Sequence, residues 1–162
     1  MIDGIGHVAI KVRDVERALG FWRDTMGFAE MLRLHHDDGS LFLIYLRITD
    51  TQYVEIFPDA DGDQAPGPNA NGVHHVCLTV PDIEAALEPL IGRGAVPHAW
   101  GQRDRVDGLW PTEAPQIVDG LDGNRQCWLA DPDGNRIELM EMAPDSLQAQ
   151  AIARLRAATS SP

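Results

Sequence analysis

The sequence predicts an α+β fold built from two paired βαβββ modules. Three observations carry this: a duplicated strand-and-helix segment, a series of strand-like runs after the first helix, and closing segments, VEIF and IELM, that match between the two halves. GIGHVAIKVRDVERAL, beginning at Gly4, returns as GVHHVCLTVPDIEAAL at Gly72, 68 residues later. At that offset Gly4, His7, Val8, Val12, Asp14, Glu16, Ala18 and Leu19 meet identical residues at Gly72, His75, Val76, Val80, Asp82, Glu84, Ala86 and Leu87.

Each copy opens with a strand of alternating apolar positions. An aspartate suited to cap a helix follows (Asp14 or Asp82), then an amphipathic helix closed by Gly27 or Gly94. Strands are expected over residues 28–36, 41–49 and 52–58, with turn signals at Asp37-Asp38-Gly39 and Asp50-Thr51. Residues 59–71 are rich in Asp, Gly and Pro and read as a linker, which places the modules at 1–58 and 72–143.

The second module ends in a hairpin of residues 125–130 and 135–142 around the turn Asp131-Pro132-Asp133-Gly134. Glu55 and Glu138 stand 83 residues apart, so this module holds 15 additional residues, expected as a loop near 100–121. Its Trp100, Arg103, Arg105 and Trp110 either line a substrate mouth or belong to an ordinary solvated insertion. In the remaining 144–162 segment, residues 146–158 read as a terminal helix that serves packing.

The 162 residues carry a formal charge of −12, which leaves no basic stripe for phosphates and predicts no nucleic-acid or anionic-membrane partner. No apolar run reaches membrane-spanning length and the N-terminus lacks the pattern of a signal peptide, so a cytoplasmic location is the expectation. Cys77 and Cys127 sit in separate apolar runs and read as buried small hydrophobes.

Strand parity selects the chemistry. Val8, Ile10 and Val12 turn toward the helix, which leaves His7 on the other face; the repeat does the same for His75, Cys77 and Thr79. Glu55 is likewise separated from Val54 and Ile56, and Glu138 from Ile137 and Leu139. Each module therefore offers one His and one Glu on one side. Buried carboxylates need partners, and a divalent cation satisfies all four groups. Imidazole with carboxylate suits Ni, Co, Mn, Zn or Fe. His74 is expected to point away from His75, while His35, His36 and Asp37 read as an exposed turn and His98 as a surface or mouth residue.

GHVAI and HHVCL at the module starts, with YVEIF and DPDGNRIELME at their ends, closely resemble the vicinal oxygen chelate superfamily, whose members include glyoxalase I, methylmalonyl-CoA epimerase, extradiol dioxygenases and bleomycin resistance proteins. The resemblance covers almost the whole chain. It implies a cupped, eight-stranded mixed sheet with one divalent metal ion, Ni, Co, Zn or Mn with Fe possible, held by His7, Glu55, His75 and Glu138. This ligand set is similar to that of bacterial glyoxalase I; epimerases of the family usually have Gln where Glu55 stands, and extradiol dioxygenases use two His and one Glu.

The activity so implied is a metal-dependent lyase or isomerase that transfers a proton next to a carbonyl through an enediolate, with Glu55 or Glu138 as base. The alternatives are epimerisation of a keto sugar or acyl-CoA, Fe(II) extradiol dioxygenation, and non-catalytic drug binding. The expected partner is a small molecule with vicinal oxygens, bound by a homodimer whose site closes within one chain or across two. Lys11, Arg33 and Arg136 are candidate partners for the carboxylates of glutathione.

Overall fold

A computed structural model describes residues 2–159, which form two compact units. One runs to Ala65 and takes in Asp131–Asn135; the other comprises Pro66–Ala130 and the chain from Arg136 onward.

In the first unit β1 (His7–Lys11) leads into α1 (Val15–Leu19), and β2 (Ala29–His35), β3 (Leu41–Arg47) and β4 (Tyr53–Phe57) follow. The sheet order is β1-β4-β3-β2, with β1 parallel to β4 and the other pairs antiparallel. Asp14 caps α1 as expected, accepting the Arg17 N–H at 3.0 Å. The helix does not stay α-helical to its end. Residues Gly20–Thr25 widen into a π-helical turn closed by the Met26 N–H on the Phe21 carbonyl. Phe21 and Trp22, adjacent in sequence, are both buried there, and with Leu19, Ile44, Leu46, Val54 and Ile56 they form the core of the unit.

The DPDGN segment explains itself in this unit. Asp131 is buried, and its carboxylate accepts the backbone N–H groups of Asp133 and Asn135, the Asn135 side-chain amide and the Trp22 indole N–H. One side chain thus folds its own turn and anchors the widened helix. Arg17 adds a bond to the Pro132 carbonyl and an ion pair to Asp133 at 3.2 Å.

The second unit repeats the plan. Strands β5 (Val76–Thr79), β6 (Pro97–Arg103), β9 (Arg125–Ala130) and β10 (Arg136–Glu141) stand in the order β5-β10-β9-β6, with α2 (Ile83–Gly92) after β5. Asp82 caps α2 through the Ala85 N–H at 2.9 Å, and Gly94 follows the helix at φ +92°, a conformation that suits glycine.

The inserted residues are strands, not a loop. β7 (Val106–Pro111) pairs with β6 through a two-residue turn, and β8 (Val118–Asp119) pairs with β9. Asp104 and Arg105 both take positive φ, the geometry that matches a tight turn to the twist of its strands. The eight strands of the repeat are present, and β7 and β8 are additions to them, so the described strands number ten. α3 (Leu147–Thr159) follows, its entry tied by buried Asn124, which bonds Asp122, Gln148 and the Ala143 N–H. Residues 160–162 of the expected tail lie outside the described residues. Among the described residues no helix is long and apolar enough to cross a membrane.

Candidate functional site

Register places the same pair in each unit. Glu55 lies across the parallel ladder from Ala9, and His7 is two residues before Ala9. Glu138 lies across from Cys77, and His75 is two residues before Cys77. His and Glu therefore meet diagonally on one face, with His7 Nδ1 3.5 Å from Glu55 Oε1 and His75 Nε2 3.1 Å from Glu138 Oε2. Glu55 is buried, while the His7 side chain is half exposed.

The donor chemistry fits a divalent cation. Two donors each about 2.1 Å from one ion lie about 3.0 Å apart at a right angle and about 3.4 Å apart at a tetrahedral angle, so both pairs have the spacing of neighbouring ligands. A bond of 3.1 Å to a carboxylate also holds an imidazole aligned without any ion, and the pair is ready-made in either case.

Two residues overlooked in the sequence complete the carboxylate surroundings. Tyr45 is directly across the antiparallel ladder from Glu55, and the interaction with that carboxylate, together with burial, holds the phenol above its ordinary range. Trp128 takes the same place across from Glu138, 83 residues from Tyr45, and brings no hydroxyl. The shared offset of 83 was the signal that pairs them. Cys77, expected to be buried, is exposed on the edge strand β5, because the face it shares with His75 is the open one. Its thiol, beside Glu138, is pushed up to about 12 by desolvation and by that charge, and so carries no thiolate at neutral pH. Cys127 is buried as expected.

His74 does not point away from His75. Parity holds only inside a strand, and both residues precede β5. Their Nδ1 atoms are 2.8 Å apart and the rings meet edge to face at 5.1 Å. Trp100 stacks on His74 with centroids 5.4 Å apart and planes 15° from parallel, and Trp128 packs edge-on against both His75 and Trp100. Burial, Arg136 and His75 in that order hold His74 below the ordinary imidazole range.

The proposed anion partners are largely engaged elsewhere. Arg136 is buried, donating from Nε to the His74 carbonyl at 2.6 Å and from Nη1 to the Pro66 carbonyl at 2.9 Å. Arg33 is committed to Glu30 at 2.6 and 3.0 Å. Lys11 is exposed at the end of β1. His35 and His36 are exposed as expected, and His98 bonds the Val96 carbonyl through Nδ1. Arg103 lies over the Trp110 ring in the β6–β7 hairpin. The carboxylates of Asp82, Glu84 and Glu141 gather within 4.8 Å of one another, but Arg125 bridges Glu84 and Glu141, and the Ile83 N–H donates to the same Glu141 oxygen that Arg125 contacts.

Known proteins share this organisation. The chain is 32% identical over 99 residues to an ethylmalonyl-CoA/methylmalonyl-CoA epimerase of Cereibacter sphaeroides, spanning 59% of this chain and 74% of that one. It is 23% identical over 163 residues to a lactoylglutathione lyase of Pseudomonas putida, covering 85% of this chain and 84% of the relative. A glyoxalase family protein from Enterococcus faecalis has the same fold at a TM-score of 0.64 and 24% identity, over 86% of this chain and 98% of its own. The model of the glyoxalase family matches residues 4–139, from the first module through the strand of Glu138. With the duplicated modules and the repeated His–Glu register, this match makes the chain a member of the Glyoxalase/Bleomycin resistance protein/Dioxygenase superfamily.

Proposed function

We propose that the protein is a divalent-metal-dependent lyase or isomerase of the glyoxalase I type, moving a proton at a carbon next to a carbonyl. The observation that carries this reading is the His–Glu pair repeated at one register in both units, with ligand-like spacings of 3.5 and 3.1 Å. His7, Glu55, His75 and Glu138 together would hold one cation, for which Ni, Co, Zn, Mn and Fe suit the donor set. When bound, such an ion supplies Lewis-acid polarisation of a substrate's vicinal oxygens.

The proton itself is the work of a carboxylate. Glu55 has the Tyr45 phenol across the ladder as well as His7 beside it, whereas Glu138 has His75 and the Cys77 thiol, a weak donor. Glu138 is therefore the freer group to take the α-proton and return it to the same or a neighbouring carbon.

Epimerisation of an acyl-CoA is the second reading. The relative from Cereibacter sphaeroides favours it, as does the internal engagement of Arg33 and Arg136, which removes two of three cations expected for the carboxylates of glutathione. Both readings are tested by elemental analysis of the purified protein, followed by incubation in D₂O with 2-oxoaldehyde hemithioacetals and with branched acyl-CoA thioesters. About one metal per chain with deuterium incorporated at the α-carbon supports proton transfer, and the substrate that exchanges chooses between the two. Metal without exchange, and oxygen uptake with catechols, would turn the assignment to dioxygenation.

A further inference from the structure

Among the described residues, the two His–Glu pairs differ in what stands behind the histidine. The residue before His7 is Gly6, while the residue before His75 is His74, whose ring touches it. A contact of 2.8 Å between two Nδ1 atoms is a hydrogen bond in which one ring gives a proton and the other receives it. His75 turns its Nε2 toward Glu138. For Nε2 to offer a lone pair to a cation, the His75 proton must sit on Nδ1, and the group in front of that nitrogen is His74 Nδ1.

We propose that His74 is a positioning residue for His75: when Nε2 binds a cation, the His74 Nδ1 accepts the His75 Nδ1–H, which fixes the tautomer and ring orientation that present Nε2 beside Glu138. This rests on the metal-binding reading above. His74 is itself held on two sides. Trp100, from β6, stacks on its ring, and Arg136, two residues before Glu138 on β10, donates to its carbonyl at 2.6 Å. Trp128 closes the edge of His75. The strand that carries the ligand Glu138 thus also anchors the partner of the ligand His75, and β6 supplies the clamp. The residue at the corresponding place before His7 is Gly6, so a ring partner of this kind belongs to the second unit among the described residues.

The test uses full-length protein labelled with ¹⁵N-histidine, with zinc as the probe ion. In the metal-free wild type, a ¹⁵N–¹⁵N coupling between the Nδ1 atoms of His74 and His75 is expected. His74→Phe keeps an aromatic ring against Trp100 and removes the acceptor; His74→Gln restores an acceptor. The expected result is a zinc affinity weakened roughly 10–100-fold in His74→Phe and substantially recovered in His74→Gln, with unchanged circular dichroism in both. An absent coupling, or a His74→Phe variant that binds zinc like the wild type, overturns the inference. A wild type that binds no zinc or other divalent ion overturns the metal reading separately, because the coupling reports the His74–His75 bond without any metal.

Discussion

Tyr45 stands directly across the β3–β4 ladder from Glu55, while the corresponding place opposite Glu138 is filled by Trp128. The duplication is thus chemically unequal: one carboxylate has a phenol across the ladder and its counterpart has an indole. If Glu138 is the base, Glu138→Gln should slow α-proton exchange in D₂O by about 10²–10⁴-fold with metal still bound. Glu55→Gln should cost far less, and Tyr45→Phe should leave the Glu138 route intact. Equal losses in the two Gln variants, at equal metal content, would refute the asymmetry.

Metal removal should be visible in stability as well as in turnover. A cation that binds only the folded protein, present at 100 times its Kd, adds about 2.7 kcal/mol. Chelation of the purified protein is therefore expected to lower its unfolding midpoint, and re-addition to restore it. His7→Ala and Glu138→Ala should lose this response while keeping the metal-free midpoint near that of the wild type. A midpoint indifferent to chelator in metal-containing protein would sink the four-ligand assignment.

Asp131 receives four donors on its two carboxylate oxygens. Asp131→Asn turns an amide NH₂ toward the Trp22 and Asn135 donors, and should cost about 1–3 kcal/mol in urea unfolding at neutral pH. Burial pushes this carboxyl above its ordinary 3.8, with the four donors opposing. A folded value above the unfolded one means that the folded state takes up the proton more readily. The contribution of Asp131 is then complete below about pH 3.8 and declines as pH rises through the folded value. The stability of the wild type relative to Asp131→Asn should accordingly grow on acidification; a gap that shrinks would show that the donors outweigh burial.

Arg136 separates a structural role from a binding one. Its guanidinium serves the carbonyls of His74 and Pro66, so Arg136→Met leaves both without that donor and should destabilise the fold by about 1–3 kcal/mol. A residue that gripped a substrate carboxylate would instead raise KM for anionic substrates and spare stability. Thermal unfolding and KM measured on the same variant distinguish the two.

The repeat, the capping aspartates and the alternation within β1, β4 and β10 are local properties, and they alone determined the paired βαβββ plan and singled out His7, Glu55 and Glu138. Within a strand the side-chain period is two, so parity is read directly from neighbours. The same rule misjudged His74, because the chain at His74 and His75 has not yet entered β5 and has no strand period to obey. The apolar run around Cys77 suggested burial, whereas parity had put it on the face of His75, and on the edge strand β5 that residue is exposed.

What tertiary structure decided is everything that rests on partners distant in sequence. Tyr45 and Trp128 became neighbours of the carboxylates through cross-strand register, Arg136 was drawn to carbonyls 62 and 70 positions away, and Asp131 to an indole 109 positions away. The inserted segment became β7 and β8 because its backbone donors and acceptors were completed by β6 and β9. Composition and spacing name the groups that must be satisfied, but which partner satisfies each is set only when the chain closes on itself.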